Sequence, residues 1–435
     1  MRLVSVRDIV ATGLCVGCGI CQSVAGEDHI RMQVDKKGFL RPMVVGDATR
    51  SWPVIRQICP GLVVQHERSI GKRPQNRLWG PVLDICAGYA LDEAVRWHGS
   101  SGGAISALAC YLLETGQVDY VLQIGASLSN PISNDVYLSQ SRQDVIKCAG
   151  SRYAPSAPLT NIEALLEQDD RTLAFVGKPC DVAALRAFLR LRPNLASKVV
   201  CTIAFLCTGT PSVHATRDVI VHMGADPSEV VDFRYRGQGW PGKARAETVD
   251  GKTYEMSYQD SWGKILGNHL QFRCKICADG AGELADITCG DAWYTRDGRP
   301  DFAERPGRSL VLSRTQGGQE IVSQSIEAGY LATEPFSLEE LEVVQPYQVL
   351  KRRLVASRLL IIRLAGMPFP KYRGFHLIDN AIRCSLGENW NSSKGMLHRL
   401  RQQPLHSHNW VLRSLASAIR TSSRVKRLFI GSSAQ

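Results

Sequence analysis

Residues 172–189, TLAFVGKPCDVAALRAFL, and residues 198–223, KVVCTIAFLCTGTPSVHATRDVIVHM, repeat one plan. Each opens with an apolar run of strand length, passes a tight turn and continues with apolar residues at helical spacing. Asp181 is placed to cap the first helix, and Thr210 with Pro211 to open the second. Strands alternating with helices in this way predict an α/β body. Cys180 and Cys207 fall in equivalent places, each just past the end of an apolar strand, where open α/β sheets bind ligands.

The pattern extends in both directions. Upstream, Ser100 and Ser101 precede GGAISALACYLLETG, in which Ile105, Leu108, Ala109, Leu112 and Leu113 form one helical face and Gly116 stops the helix. The strand VDYVLQIG follows. Downstream, Cys274 and Cys277 in FRCKICADG precede the strand LADITCGDAW. Cys180, Cys207, Cys274 and Cys277 together offer four ligands from three loops; the alternatives are a zinc site or small apolar side chains at buried turns.

A second cysteine pattern stands near the N-terminus. Cys15, Cys18 and Cys21 in LCVGCGICQSV have C-x2-C-x2-C spacing, which points three thiolates at one centre, with Gly17 and Gly19 allowing close backbone approach. The fourth cysteine of a bacterial ferredoxin run is replaced by Ala25, so Cys59, followed by Pro60, is the expected fourth ligand. Between them IRMQVDKKGFLRPMVV reads as a strand pair and VIRQICPG as a short helix ending at the ligand. Zinc sites commonly use separated C-x2-C pairs, so this spacing favours a 4Fe-4S cluster over zinc or free thiols. Cys86, Cys110, Cys148, Cys201, Cys289 and Cys384 read as structural.

The chain has 435 residues, 44% of them hydrophobic and 21% charged, which excludes disordered and fibrous classes. At roughly 150 residues per domain, about three units are expected: 1–80, 81–345 and 346–435. Fourteen cysteines are too few for a disulfide scaffold, no secretory signal is read, and no run of eighteen apolar residues occurs. The expected location is the cytoplasm, with peripheral attachment to the inner face of the membrane as a variant.

The net charge of +11 is uneven. Residues 346–435 hold sixteen Lys and Arg against Asp379 and Glu388, a net of +14, which leaves −3 for the rest. Val411, Leu412, Leu415, Ala418 and Ile419 recur at helical spacing among Arg413, Arg420, Arg424, Lys426 and Arg427. This basic amphipathic pattern suits a helix packed on the body, an anionic membrane surface or an acidic partner protein. Nucleic acid is disfavoured, since no nucleic-acid motif accompanies the charge.

Three turns have phosphate- or flavin-binding character. Gly102 and Gly103 stand at a helix N-terminus behind two serines, Arg152 and Tyr153 lie in AGSRYAPS, and Lys178 lies in VGKPC. The G-x-G-x-x-G fingerprint is absent, so a flavin here needs a non-Rossmann arrangement. His98, Lys178 and Asp291 are candidate proton donors near these turns.

The segments CVGCGIC, SSGGAISALACYLLETGQVDYVL, GSRYAPS, VGKPCDVAALR, FLCTGTPS, FRYRGQGWPG and RCKICADGAGELADITCGDAW occur in this order. Across roughly residues 10–345 they resemble the beta subunit family of coenzyme F420 hydrogenases and dehydrogenases, which includes the 7-hydroxymethyl chlorophyll a reductases. The resemblance implies a ferredoxin-like 4Fe-4S segment, a central mixed α/β body binding FAD, and a helical basic C-terminal extension. It carries cofactor binding onto Ser101, Gly102, Gly103, Gly150, Ser151, Arg152, Tyr153, Gly177, Lys178 and Pro179. Cluster ligation falls on Cys15, Cys18, Cys21 and Cys59 and, for a second cluster, on Cys180, Cys207, Cys274 and Cys277. Its C-x2-C-x-D and ADI-x-x-GD patterns end on Asp279 and Asp291. Ala25 and the basic extension are departures from the family.

The implied function is an iron-sulfur flavoprotein oxidoreductase that joins single-electron carriers to the two-electron chemistry of a substrate. Ferredoxin or another redox partner and a small-molecule acceptor, a coenzyme F420-type deazaflavin or a relative of it, are the expected partners. A ferredoxin-dependent reductase of the 7-hydroxymethyl chlorophyll a reductase type, a non-catalytic electron-transfer subunit and a zinc-stabilised interaction protein are the rival readings.

Overall fold

The computed structural model describes residues 3–66, 75–168 and 170–401; the basic pattern at 411–427 lies outside them. Its centre is an eight-stranded mixed sheet. The strands are β1 (Asp84–Ala90), β2 (Tyr120–Ala126), β3 (Asn134–Ser139), β4 (Leu173–Gly177), β5 (Val199–Phe205), β6 (Ile287–Asp291), β7 (Ser309–Ser313) and β8 (Leu331–Pro335). Their order across the sheet is β8-β1-β7-β6-β5-β4-β2-β3. Neighbours from β2 through β4 and β5 to β6 run parallel, whereas β3 and the β7-β1-β8 flank are joined by antiparallel pairing.

The parallel centre follows from the apolar runs first quoted. Every residue of β4 is buried, because helices cover both faces of the sheet. Alternate side chains serve opposite layers. Leu173 and Phe175 pack with Val182, Leu185 and Phe188 of the helix Pro179–Leu191, while Ala174 and Val176 pack with Leu108 and Leu112 of the helix Ala104–Glu114. The helix Gln316–Glu327 completes the second layer through Ile321 and Val322.

Local caps differ from the sequence expectation. Gly103, in a left-handed conformation, is the N-cap of Ala104–Glu114, and neither serine serves there. Lys178 is the N-cap of Pro179–Leu191; Asp181 sits in the first turn and accepts from the Lys178 backbone N–H at 3.2 Å. The helix after β5 starts at Val213, capped by Ser212, while Pro211 bridges to Leu270.

The N-terminal segment holds the expected hairpin, Ile30–Val34 against Leu40–Val44, and the helix Trp52–Ile58, which ends on Cys59. Its residues Leu14, Cys18, Ile20 and Ile58 share one hydrophobic core with Phe188 of the sheet-covering helix. The same core takes Val355, Leu359 and Ile362 from Pro346–Leu364 and Met396, Leu397 and Leu400 from Leu386–Arg401. A short parallel pairing of Val63–Gln65 with Lys371–Arg373 ties the two ends together. The extension is therefore part of the body as far as Arg401, and two of its basic residues, Lys351 and Arg352, are internal. Among the described residues no helix is long and apolar enough to cross a membrane.

Candidate functional site

A cavity of about 270 Å³ opens at the C-terminal ends of the parallel strands, near the lower bound for small-molecule pockets. Val176 and Gly177 of β4, Phe205 of β5 with Leu206 and Cys207 beyond it, and Cys289 to Asp291 of β6 form its floor. Ser101, Gly150, Ser151, Arg152, Tyr153, Gly177 and Lys178, all expected from the sequence, line it.

Gly102, Gly103 and Pro179 do not line it. A Cβ on Gly102 would lie 2.5 Å from the Gly88 carbonyl oxygen and 2.7 Å from the Ser309 nitrogen, so this glycine permits backbone to pass backbone. Its N–H donates to Ser309 Oγ at 2.8 Å, which leaves it nothing to offer a phosphate. Ser101 Oγ donates to the Arg308 carbonyl at 2.9 Å. The Ser151 backbone N–H donates to Ser100 Oγ.

Arg152 faces the cavity with its donors already in use. Its Nε donates to Asn134 Oδ1 at 2.9 Å and its terminal nitrogens to the carbonyls of Phe233, Pro131 and Ser133 at 2.7–2.8 Å. It therefore ties its own loop to the turn before β3 and to the strand Val230–Arg234. Lys178 is buried, 2.7 Å from Asp181 Oδ2, and donates to Ser156 Oγ at 2.9 Å. Burial opposes its charge, and Asp181 more than offsets this, holding its pKa above the ordinary lysine value.

The opposite wall is aromatic: Tyr153, Tyr258, Trp262 and Trp293. Arg236, which the sequence reading passed over within FRYRGQGWPG, lies 4.6 Å from the Tyr258 ring and 5.3 Å from that of Trp293. It grips Asp291 with both terminal nitrogens, at 3.0 and 2.9 Å, and Trp240 Nε1 donates to the same carboxylate at 2.8 Å. With three donors facing it, Asp291, one of three candidate proton donors in the sequence, serves as an acceptor that fixes this wall. His98 is also removed from that role: it does not line the cavity, and its Nδ1 lies 2.9 Å from the Ala94 carbonyl.

The cysteines sort into the two expected sets. Cys18 lies within electrostatic reach of Cys21 and Cys59, and Cys21 within reach of Cys15 and Cys59. In the second set Cys180 faces Cys207 and Cys277, and Cys207 faces Cys274 and Cys277. Burial pushes the Cys59 and Cys207 thiols up to about 12, and Cys18, Cys21 and Cys180 well above the ordinary value. Such thiols ionise only against a strong positive charge, which bound metal supplies. Gly19, at φ +86°, lets the first loop pass Thr160, whose Cγ2 would stand 2.7 Å from a Cβ there.

Among the described residues no three His, Cys, Asp or Glu side chains converge tightly enough to hold one metal ion. A tetrahedral ion draws every sulfur to about 2.3 Å from a single point. A cubane is different, because each thiolate binds its own iron and the four sulfurs ring a volume.

The two sets adjoin one another. Asp181 acts electrostatically on both Cys18 and Cys180. Arg273, 2% exposed, donates to the Pro60 carbonyl at 2.9 Å beside Cys59 and also faces Cys180, Cys274 and Cys277. On the far side of the second set, Lys351 Nζ donates to the carbonyls of Cys207 and Thr208 at 3.0 and 3.1 Å. Cys207 itself lines the cavity.

Two profiles match the chain: the N-terminal region of coenzyme F420 hydrogenase/dehydrogenase beta subunits over residues 85–163, and the C-terminal region over residues 170–339. Among curated proteins, the coenzyme F420-dependent sulfite reductase of Methanocaldococcus jannaschii is 25% identical over 355 residues, 77% of this chain and 49% of that protein. The chain thus spans about half the length of that relative. The coenzyme F420 hydrogenase subunit beta of Methanococcus voltae is 25% identical over 65% of this chain and 95% of its own. A chain of the F420-reducing NiFe hydrogenase complex from Methanosarcina barkeri shares the fold, with a TM-score of 0.52 and 21% identity over 67% of this chain and 96% of that one. With matched regions spanning both halves of the cavity and most of its sheet, the chain belongs to the coenzyme F420 hydrogenase/dehydrogenase beta subunit family, a family of oxidoreductases.

Proposed function

We propose that the protein is an iron-sulfur flavoprotein oxidoreductase acting on a coenzyme F420-type deazaflavin or a related acceptor. The observation that carries this reading is the sequence in space of cysteine set, cysteine set and cavity, with Cys207 belonging to the second set and to the cavity wall. When bound, clusters exchange single electrons and a flavin exchanges electrons in pairs, so the two together serve a two-electron substrate.

The residues fit these groups. Cys15, Cys18, Cys21 and Cys59 would hold one cluster, and Cys180, Cys207, Cys274 and Cys277 a second; Cys15 and Cys18 are buried and the other six partly so. In the cavity, Gly150, Ser151 and Gly177 give close approach, Lys178 supplies a fixed positive charge, and Tyr153, Tyr258 and Trp293 supply an aromatic wall for a planar ring. Arg236 and Asp291 lock that wall. A one-electron protein donor such as ferredoxin is the proposed partner, in keeping with relatives that are subunits of larger complexes.

Anaerobically purified protein is expected to contain iron, sulfide and flavin, with absorbance near about 400 and about 450 nm. Cys18→Ala and Cys277→Ala should each remove about half of the iron. Colourless protein containing zinc overturns the proposal, and full iron in both variants overturns the ligand assignment.

A further inference from the structure

Arg41, Lys178, Lys351 and Arg273 are four of the buried or partly buried cations beside the cysteines, and the first three serve one set each. Arg41 acts on Cys15 of the first set. Lys178 and Lys351 lie beside the second set. Arg273 alone among these four reaches both. Its guanidinium donates to the carbonyl next to Cys59, faces Cys180, Cys274 and Cys277, and lies 5.4 Å from the Tyr372 ring. Its Nε is buried without a hydrogen-bond partner.

A guanidinium cannot lose its proton in a protein, so this position is cationic at every pH the fold survives. Leaving one of its donors unpaired away from water is costly unless negative charge compensates. The side chains facing Arg273 that can supply such charge are the thiols of Cys59, Cys180, Cys274 and Cys277 and the Tyr372 phenol. The phenol donates to the Ile276 carbonyl at 2.7 Å, and burial pushes its pKa above the ordinary value, so it stays neutral. The cysteines remain as the source of the countercharge.

We infer that Arg273 is a counter-charge shared by the two cysteine sets, a positioning residue that raises the reduction potentials of both clusters together. This rests on the proposed presence of clusters at both sets. Four thiolates give each cluster a net negative charge, and reduction adds one electron and no proton, so a fixed cation in the dry space between them favours the reduced form of each. It also offsets the repulsion that the second electron meets from the first.

The test is a redox titration of the full-length, cluster-loaded protein with dithionite and mediators, following each cluster by its electron paramagnetic resonance signal. Arg273→Gln is expected to lower both midpoint potentials by at least about tenfold in the reduction equilibrium, about 59 mV for a one-electron couple. Arg273→Lys should keep both near the wild-type values, and Lys351→Met should move the second cluster alone. A shift confined to one cluster in Arg273→Gln, or none, overturns the inference. So does an equal downward shift in Arg273→Lys, which would assign the effect to geometry and not to charge. Where Arg273→Gln fails to retain iron, Arg273→Met, which also removes the charge, decides: two lowered potentials support the inference, and one or none lowered overturns it. Wild-type protein with fewer than two clusters defeats the proposed function itself, whereas two clusters with potentials insensitive to Arg273 defeat the inference alone.

Discussion

Glu283 is buried with 1% of its surface exposed, 2.8 Å from Arg352 and 3.0 Å from His66, with Asp279 and Arg314 also facing it. Burial alone pushes its carboxyl up, but Arg352 and then His66 reverse this and hold it below the ordinary glutamate range. Because the folded pKa is the lower one, stability from ionised Glu283 is complete above about pH 4.3, the unfolded value, and disappears as pH falls through the folded value. Glu283→Gln should cost about 3–5 kcal/mol at pH 7, since it strands a buried arginine. Denaturant titrations should show this difference shrinking below about pH 4; a constant gap down to pH 2 would contradict the ion pair. Residues of this kind were hidden in the sequence. Cysteine ligands announce themselves because one metal centre dictates their spacing. Nothing local marks Arg236, Arg273 and Arg352, whose partners Asp291, Pro60 and Glu283 arrive from distant parts of the chain.

At the scale of elements, the parallel strands were legible because burial on both faces leaves a continuous apolar run, as in β4 and β5. The hairpin Ile30–Val34 with Leu40–Val44 and the helix ending at Cys59 were legible from alternation and from the Cys-Pro stop. The β7-β1-β8 flank was not. Asp84, Cys86 and Gly88 dilute β1, and its partners lie more than two hundred residues away. The helix Pro346–Leu364 was read as part of a basic extension because its charges outweigh its apolar stripe in sequence. In the fold it closes over the second cysteine set, Lys351 anchoring the Cys207 loop and Arg352 pairing with Glu283. A chain ending at residue 345, stripped of Val355, Leu359 and Ile362 from the shared core, is therefore expected to lose its iron altogether, while one ending at Arg401 retains it; metal analysis of the two distinguishes an integral helix from an appendage.

Across the whole molecule, one hydrophobic core joins the N-terminal segment, one face of the sheet and the C-terminal helices. Continuity of this kind couples the parts, so the division at 80 and 345 is one of sequence pattern. Heating the anaerobic protein should abolish cluster absorbance and far-ultraviolet dichroism in one transition, whereas separate transitions would mark independent units. The covering position of Pro346–Leu364 also bears on biogenesis. The ribosome completes all eight cysteines of the two sets before it makes the helix that closes over the second one. The nascent chain thus passes through a stage with all eight cysteines present and the Cys207 loop still uncovered, a window for delivery of the iron and sulfide that the proposed clusters need. Docking of Pro346–Leu364 then closes the second cysteine set, and with clusters present as proposed it would be the closing step of their assembly.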